Sequence, residues 1–216
     1  MRRRSLFILP LAALVAACGD ELRGDGVPAR VTRELPPFQS ATISGYFDVT
    51  IVVGAAVSQV TVSGDSNLLP QVQTTVLDKT LRIDSLRSYV AFQRIGLRVE
   101  TPSLASVHVM GATQVRVEGI TGSQFQLSAD GAAAVQLTGQ VDQLELGLNG
   151  AGEIDALALA ATAASAEIKG AGRILVAPRE ALAVKIAGAG EVEYTGEPQL
   201  VQAVTGSGRV LHIKQP

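Results

Sequence analysis

The stretch G-L-N-G-A-G-E-I-D-A-L-A-L-A-A-T-A-A-S-A-E-I-K-G-A-G-R-I-L-V-A-P-R-E-A-L-A-V-K-I-A-G-A-G-E-V-E-Y, residues 147–194, holds one pattern three times. G-A-G, then a charged residue, then an aliphatic one, begins at Gly150, Gly170 and Gly188. Related versions flank it: G-A-T-Q-V from Gly111, G-A-A-A-V from Gly131 and G-S-G-R-V from Gly206. Successive leading glycines are 20, 19, 20, 18 and 18 residues apart. A fixed period of this length marks a solenoid, in which each repeat buries its apolar face only against its neighbours.

Aliphatic residues recur at fixed offsets from each glycine. Two positions before it stand Val109, Ala129, Leu148, Ile168, Ile186 and Val204, and four after it Val115, Val135, Ile154, Ile174, Val192 and Val210. Four before it stand Val107, Leu127, Leu146, Ala166 and Val184, with Gln202 breaking the column. The residues between are polar or small, so the alternation has period two, which belongs to strands. A coil of 18–20 residues is too short for a strand plus a packed helix. The prediction is an all-β chain: a single right-handed parallel β-helix with a strand-rich N-terminal section.

The corner glycines Gly111, Gly131, Gly150, Gly152, Gly170, Gly172, Gly188, Gly190, Gly206 and Gly208 read as structural, because glycine reaches positive φ and lets successive coils approach closely. The motif lacks the third glycine of a dinucleotide fingerprint and the Lys-Ser/Thr of a phosphate loop. A calcium ladder needs a carboxylate in nearly every coil. At the comparable offset only Asp155 and Glu193 are acidic, beside Arg116, Gln136, Leu175 and Leu211. No metal site and no cofactor are expected. Three positions after the leading glycines stand Gln114, Ala134, Glu153, Arg173, Glu191 and Arg209. Stacked in register about 4.8 Å apart, the last four form an alternating charge ladder, and Glu167 faces Lys185 in the same way.

The N-terminus, M-R-R-R-S-L-F-I-L-P-L-A-A-L-V-A-A over residues 1–17, has the layout of a secretory signal peptide. It runs into Val15-Ala16-Ala17-Cys18-Gly19, which resembles the lipobox of bacterial lipoproteins. That resemblance implies cleavage before Cys18, lipidation of Cys18 and a membrane anchor. Cys18 is the only cysteine, so no disulfide framework exists. Gly19, in place of an aspartate, leans towards the outer membrane over the inner one. Residues 18–34, rich in charge, Gly and Pro, are expected to be a flexible tether, leaving 35–216 as the folded domain. Removal of Arg2, Arg3 and Arg4 from 18 basic residues leaves 15 against 20 acidic ones, a net charge of about −5. This balance gives no basic footprint for nucleic acid.

Strands are expected at Ala41–Val53, Gln59–Ser63, Gln71–Val76 and Thr80–Ile83. The segments R-E-L-P-P-F-Q-S-A-T-I-S-G-Y-F-D-V-T-I-V-V-G (Arg33–Gly54), Q-V-T-V-S-G-D-S-N-L-L (Gln59–Leu69), V-L-D-K-T-L-R-I (Val76–Ile83) and L-R-V-E-T-P-S-L (Leu97–Leu104), followed by G-A-G coils, resemble the head GIN domain family. Its name associates it with auto-transporter adhesins. The resemblance spans about residues 33–212. It implies a β-helical domain of bacterial envelope proteins whose activity is largely undefined.

Catalytic candidates are few. His108 lies between inward Val107 and Val109 and so points outward, His212 lies in the last strand, and no G-x-S-x-G is present. Glu191 with Glu193, and Glu153 with Asp155, are spaced to bracket a sugar, but only 4% of residues are aromatic. Tyr46, Phe47, Tyr89 and Phe92 fall in the first half, where some of them are expected to cap or fill the core. The expected function is a lipid-anchored envelope module, adhesin-like or structural and non-catalytic. A polysaccharide-active enzyme and a periplasmic sensor or carrier are the alternatives. A glycan or an envelope protein is the expected partner, and self-association is an option for a solenoid with open ends.

Overall fold

The computed structural model describes residues 22–214. The signal peptide and Cys18 lie outside the described residues. The chain is almost wholly strand, wound into a β-solenoid of about five turns. Its regular part comprises β10 (Ser106–Gly111), β11 (Gln114–Gly131), β12 (Ala134–Gly150), β13 (Glu153–Gly170), β14 (Arg173–Gly188), β15 (Glu191–Tyr194), β16 (Gln199–Gly206) and β17 (Arg209–His212). All pair in parallel, and the glycines align coil to coil: Gly111 with Gly131, Gly150, Gly170, Gly188 and Gly206 in turn.

Each leading glycine closes a corner between two faces of the coil. Its carbonyl accepts a backbone N–H from the next corner, as Ala151 to Gly131 at 2.9 Å and Ala171 to Gly150 at 2.9 Å. Gly150 has φ +130°, and a Cβ there would run into the Gly131 carbonyl oxygen. The second glycine meets a different obstacle. A Cβ on Gly190 would lie 2.5 Å from Ile168 Cγ2, and one on Gly208 2.5 Å from Ile186 Cγ2. The space that a larger third corner residue would occupy is filled by the aliphatic side chain of the preceding coil.

The inward columns are buried as the alternation requires: Val107, Leu127, Leu146, Ala166 and Val184, then Val109, Ala129, Leu148, Ile168 and Ile186, then Val115, Val135, Ile154, Ile174 and Val192. Val204, which continues the column of Val109 to Ile186, is 41% exposed, since no coil among the described residues covers it.

The solenoid starts earlier than the six motifs suggest. β3 (Ser40–Gly45) pairs with β10, and β4 (Phe47–Val53) pairs with β11, so that Gly45 aligns with Gly111 and Val49 with Val115. Gly45-Tyr46-Phe47-Asp48-Val49 is thus a seventh corner, which divides the single strand expected over Ala41–Val53. Between this coil and the next lies an insertion holding β5 (Gln59–Asp65), a 3-10 turn (Leu69–Gln71), β6 (Val72–Leu77), β7 (Thr80–Ser85), β8 (Tyr89–Val90) and β9 (Ile95–Thr101). From it β7 adds in parallel to β3 and β9 to β4, while β6 and β5 close the two faces with antiparallel pairs. Asp78 and Lys79, both at positive φ, make the two-residue β6–β7 hairpin.

From Leu22 onward the flexible tether expected over residues 18–34 is corrected by the fold. β1 (Leu22–Arg23) pairs with β8, and β2 (Pro28–Glu34) runs antiparallel to β5 along its full length. Ala29 packs against the core, and the Arg33 guanidinium donates to the carbonyls of Val72 (2.7 Å) and Leu69 (3.0 Å) and to Thr74 Oγ1 (3.1 Å). A segment with few bulky side chains is ordered by the edge of β5 and by this one arginine.

The corner constraint is open to a direct comparison. Gly150→Ala combines a strained φ with a backbone collision and is expected to cost about 2–5 kcal/mol. Gly54, at φ +93° with nothing within 4 Å of a Cβ, isolates the conformational part. Gly54→Ala should cost about 1 kcal/mol. Urea denaturation of both variants measures the difference, and equal losses would refute the stacking argument.

Candidate functional site

The face that follows the glycine corners is one sheet running β2–β5–β9–β4–β11–β12–β13–β14–β15–β17. Its outward positions fall into rows. One row reads Arg30, Ser63, Gly96, Asp48, Gln114, Ala134, Glu153, Arg173, Glu191 and Arg209. The next reads Thr32, Thr61, Arg98, Thr50, Arg116, Gln136, Asp155, Leu175, Glu193 and Leu211.

Three shallow clefts lie on this face and meet at Asp48. The largest, about 920 Å³, includes Arg30, Asp65, Phe92 and Arg94. The second, about 440 Å³, includes Thr32, Thr50, Thr61 and Arg98, and the third, about 300 Å³, includes Gln114, Arg116, Gln136 and Glu153. Together they make a groove along the solenoid axis with four arginines on its walls. Several of these side chains are held in place. Arg116 donates twice to Gln136 Oε1 (3.1 and 2.9 Å), Arg98 Nε lies 3.1 Å from Glu100 Oε1, and the Arg94 guanidinium sits 3.8 Å above the Tyr46 ring. The groove offers charged and neutral donors to a polar ligand. Among the described residues no group of three His, Cys, Asp or Glu side chains is placed to hold a metal ion.

Towards the other end the same face carries the charge ladder. Glu153, Arg173, Glu191 and Arg209 occupy adjacent strands in register. Arg173 reaches Glu153 (3.8 Å) and Glu191 (3.9 Å), and its closest partner is Glu193, to which both Nε and Nη2 donate. Glu193 is the nearly buried carboxylate among these partners, and its hydrogen bond to Arg173, followed by its charge and those of Glu153 and Glu191, raises the Arg173 pKa above its ordinary value. Of the carboxylates spaced to bracket a sugar, Glu153, Glu191 and Glu193 all lie beside this cation, while Asp155 Oδ1 accepts the Leu157 N–H. The three glutamates join neighbouring coils through Arg173, whereas the Asp155 contact stays within its own coil.

The opposite face carries two further pairings. Glu167 bridges Lys185 (3.2 Å) and Lys169 (3.3 Å), and Lys185 first, then Lys169, lowers its pKa. His108 Nε2 lies 2.6 Å from Asp130 Oδ2, and Asn149 donates to Asp130 Oδ1 at 2.7 Å. His108 therefore points outward into a coil-to-coil contact, and His212 stacks on Tyr194 with ring centroids 5.0 Å apart. Of the early aromatics, Phe47 is buried in the core, Tyr46 and Phe92 are exposed, and burial pushes the Tyr89 phenol up to about 12. The groove arginines escaped the sequence reading, although their outward parity in alternating strands is the signal that carries them.

Comparisons with known proteins agree with this architecture. The family model described as "Putative auto-transporter adhesin, head GIN domain" matches residues 37–198. A crystal structure described as a "putative adhesin" from Bacteroides fragilis superposes with a TM-score of 0.70 at 19% identity, covering 89% of this chain and 100% of that one. Another so described, from Parabacteroides merdae, gives 0.63 at 20% identity, with 90% and 99% covered. A "putative lipid binding protein" from Parabacteroides distasonis gives 0.56 at 19%, with 89% and 99% covered. These likenesses establish the fold. No curated protein matches the chain significantly.

Arg173→Gln should leave Glu193 without its charged partner. The expected loss is about 1–3 kcal/mol, below the range for fully buried pairs because Arg173 itself is open to water. Lys185→Ala, on an exposed pair, should cost no more than about 0.5 kcal/mol. Thermal denaturation separates the two, and an unchanged melting temperature for Arg173→Gln would discount the ladder. The Asp130 carboxyl is held below its ordinary value of 3.8, first by His108 and then by Asn149. Its stabilising effect is therefore present above 3.8 and lost as pH falls through the depressed folded value. His108→Ala should raise the Asp130 pKa towards 3.8 in a carboxyl NMR titration, and an unmoved value would show that the contact is absent in solution.

Proposed function

The chain belongs to the head GIN domain family, and on that footing we propose that it is a lipid-anchored protein of the bacterial cell envelope whose solenoid serves as a non-catalytic recognition module. The observation that carries this reading is the groove through Asp48, walled by Arg30, Arg94, Arg98 and Arg116 and lined as well by threonine, serine and glutamine side chains and by the carboxylates of Asp65 and Glu153. A flat sheet face with donors repeating at the strand spacing matches an extended ligand with acceptors at intervals. Arginine prefers carboxylates and other oxyanions, so the ligand is an acidic, hydroxyl-rich envelope glycan.

The anchor rests on Val15-Ala16-Ala17-Cys18, on the arginines and apolar run before it, and on Cys18 being the sole cysteine. Gly19 favours the outer membrane. Several acyl chains on one residue hold a protein far more firmly than the marginal binding of a single chain.

The purified domain applied to an array of envelope glycans should bind acidic members. Arg98→Ala combined with Arg116→Ala should weaken that binding roughly tenfold or more, with the melting temperature little changed because both side chains are exposed. Equal binding by wild type and double variant would remove the groove from the reading. Capture of an envelope protein with no glycan bound would replace the glycan as partner. A fatty-acid probe should label the wild type and fail to label Cys18→Ser; an unlabelled wild type would overturn the anchor.

A further inference from the structure

Five of the eleven large exposed hydrophobic side chains among the described residues gather at one end of the domain. Phe92 is 77% exposed, Leu86 57%, Val27 56%, Tyr46 53% and Val90 46%. All five lie around the point where the chain enters the fold. Arg23 is paired with Val90 across β1 and β8, and the Gly24 N–H donates to the Val90 carbonyl at 2.8 Å. Gly26 lies beside the Phe92 ring, since a Cβ there would be 3.6 Å from Phe92 Cε2. The Tyr89 hydroxyl donates to the Tyr46 carbonyl at 3.4 Å, and Arg94 covers the Tyr46 ring. Arg23 and Arg87 are exposed at the same end.

Such clusters on a folded domain mark an interaction surface. Exposed Phe and Val beside tyrosine and arginine is the mixture found where protein meets the headgroup layer, because Tyr and Arg bury an apolar body and keep a polar tip wet. The length of chain ahead of the fold identifies the occupant. Cys18 is four residues before Leu22, and four residues span at most about 14 Å. A long tether would let the domain float free of its anchor. With β1 and β2 part of the fold, the acylated residue is held within about 14 Å of Leu22, which is paired with Tyr89 at the border of the patch.

We infer that this end of the domain rests on the membrane, with Val27, Tyr46, Leu86, Val90 and Phe92 set into the lipid headgroup layer. The inference relies on the proposed acylation of Cys18. It also orients the groove, because Phe92 and Arg94 line its largest cleft: the groove begins at the lipid surface and leads away from it along the solenoid axis.

The chain has no tryptophan, so Phe92→Trp gives a single reporter. The lipidated full chain carrying it is reconstituted into phosphatidylethanolamine–phosphatidylglycerol vesicles, with and without brominated acyl chains. Trp at 92 should emit at shorter wavelength and lose intensity to the brominated lipid. Leu86→Trp should behave alike, whereas Val201→Trp on the far coil should do neither. If the intact mass shows an acylated Cys18 and the emission at 92 and 86 matches that at 201, the docking surface is overturned while the anchor stands. If the mass shows no acyl chain on Cys18, the anchor falls and the inference with it.

Discussion

The fold depends on one short-range relation: the carbonyl oxygen of each corner glycine accepts a hydrogen bond from the next coil, in the volume that a side chain on the glycine above would need. The bonds from Ala151 to Gly131, Ala171 to Gly150 and Ala189 to Gly170 are 2.8–2.9 Å long. They carry the parallel ladder through a turn at which parallel sheets ordinarily end, so that one corner serves as both bend and rung. Everything outside the corner follows from its repetition. The aliphatic columns meet because the glycines align, and the outward rows line up because the columns do. A core with few aromatics and no disulfide closes on Val, Ile, Leu and Ala stacked at the strand spacing.

Electrostatics refine this register without creating it. Arg173 stands among three carboxylates from the coils on either side of it, and Glu167 stands between two lysines on the other face. Opposite charges across adjacent strands contribute modestly each, while a slip by one coil would set like against like or leave Glu193 unpaired. Three of the four acidic residues spaced to bracket a sugar, Glu153, Glu191 and Glu193, are thereby drawn into holding the array together. The arginine-lined groove uses such pairing more sparingly: Arg98 meets Glu100, while the Arg116 guanidinium is held by the neutral Gln136 amide.

Much of this architecture was legible in the sequence because a solenoid writes its contacts at fixed offsets. Val109 to Ile186, Val115 to Val192 and the Glu–Arg row needed only alignment on the glycines. Gly45 was not legible as a corner, since 65 residues lie between it and Gly111, far beyond the repeat spacing, and Tyr46-Phe47 replaces Ala-Gly. The strand at Pro28–Glu34 was hidden for a different reason: its order comes from the edge of β5 and from three acceptors gathered around Arg33, none of which is a local property. The Arg173–Glu193 contact was missed because a long side chain reaches diagonally, to a residue two positions beyond its register partner. The groove was missed because half its wall comes from β2, β5 and β9, which join the face only through the insertion.

The third corner residue changes along the axis: Phe47, Thr113, Ala133, and then glycine at 152, 172, 190 and 208. Phe47, Thr113 and Ala133 are buried, and the Thr113 hydroxyl donates to the Gly45 carbonyl at 2.8 Å. Further along, the aliphatic side chains of Ile168 and Ile186 take up the room instead. The array is therefore graded and has a direction. Coils of the G-A-G kind present the same corner above and below, so a copy of one inserted among them meets the neighbours it was shaped for. A coil taken from the Phe47 or Thr113 end does not. The molecule can change its length only through its distal half, and growth there would extend the charge ladder while leaving the groove at its original size.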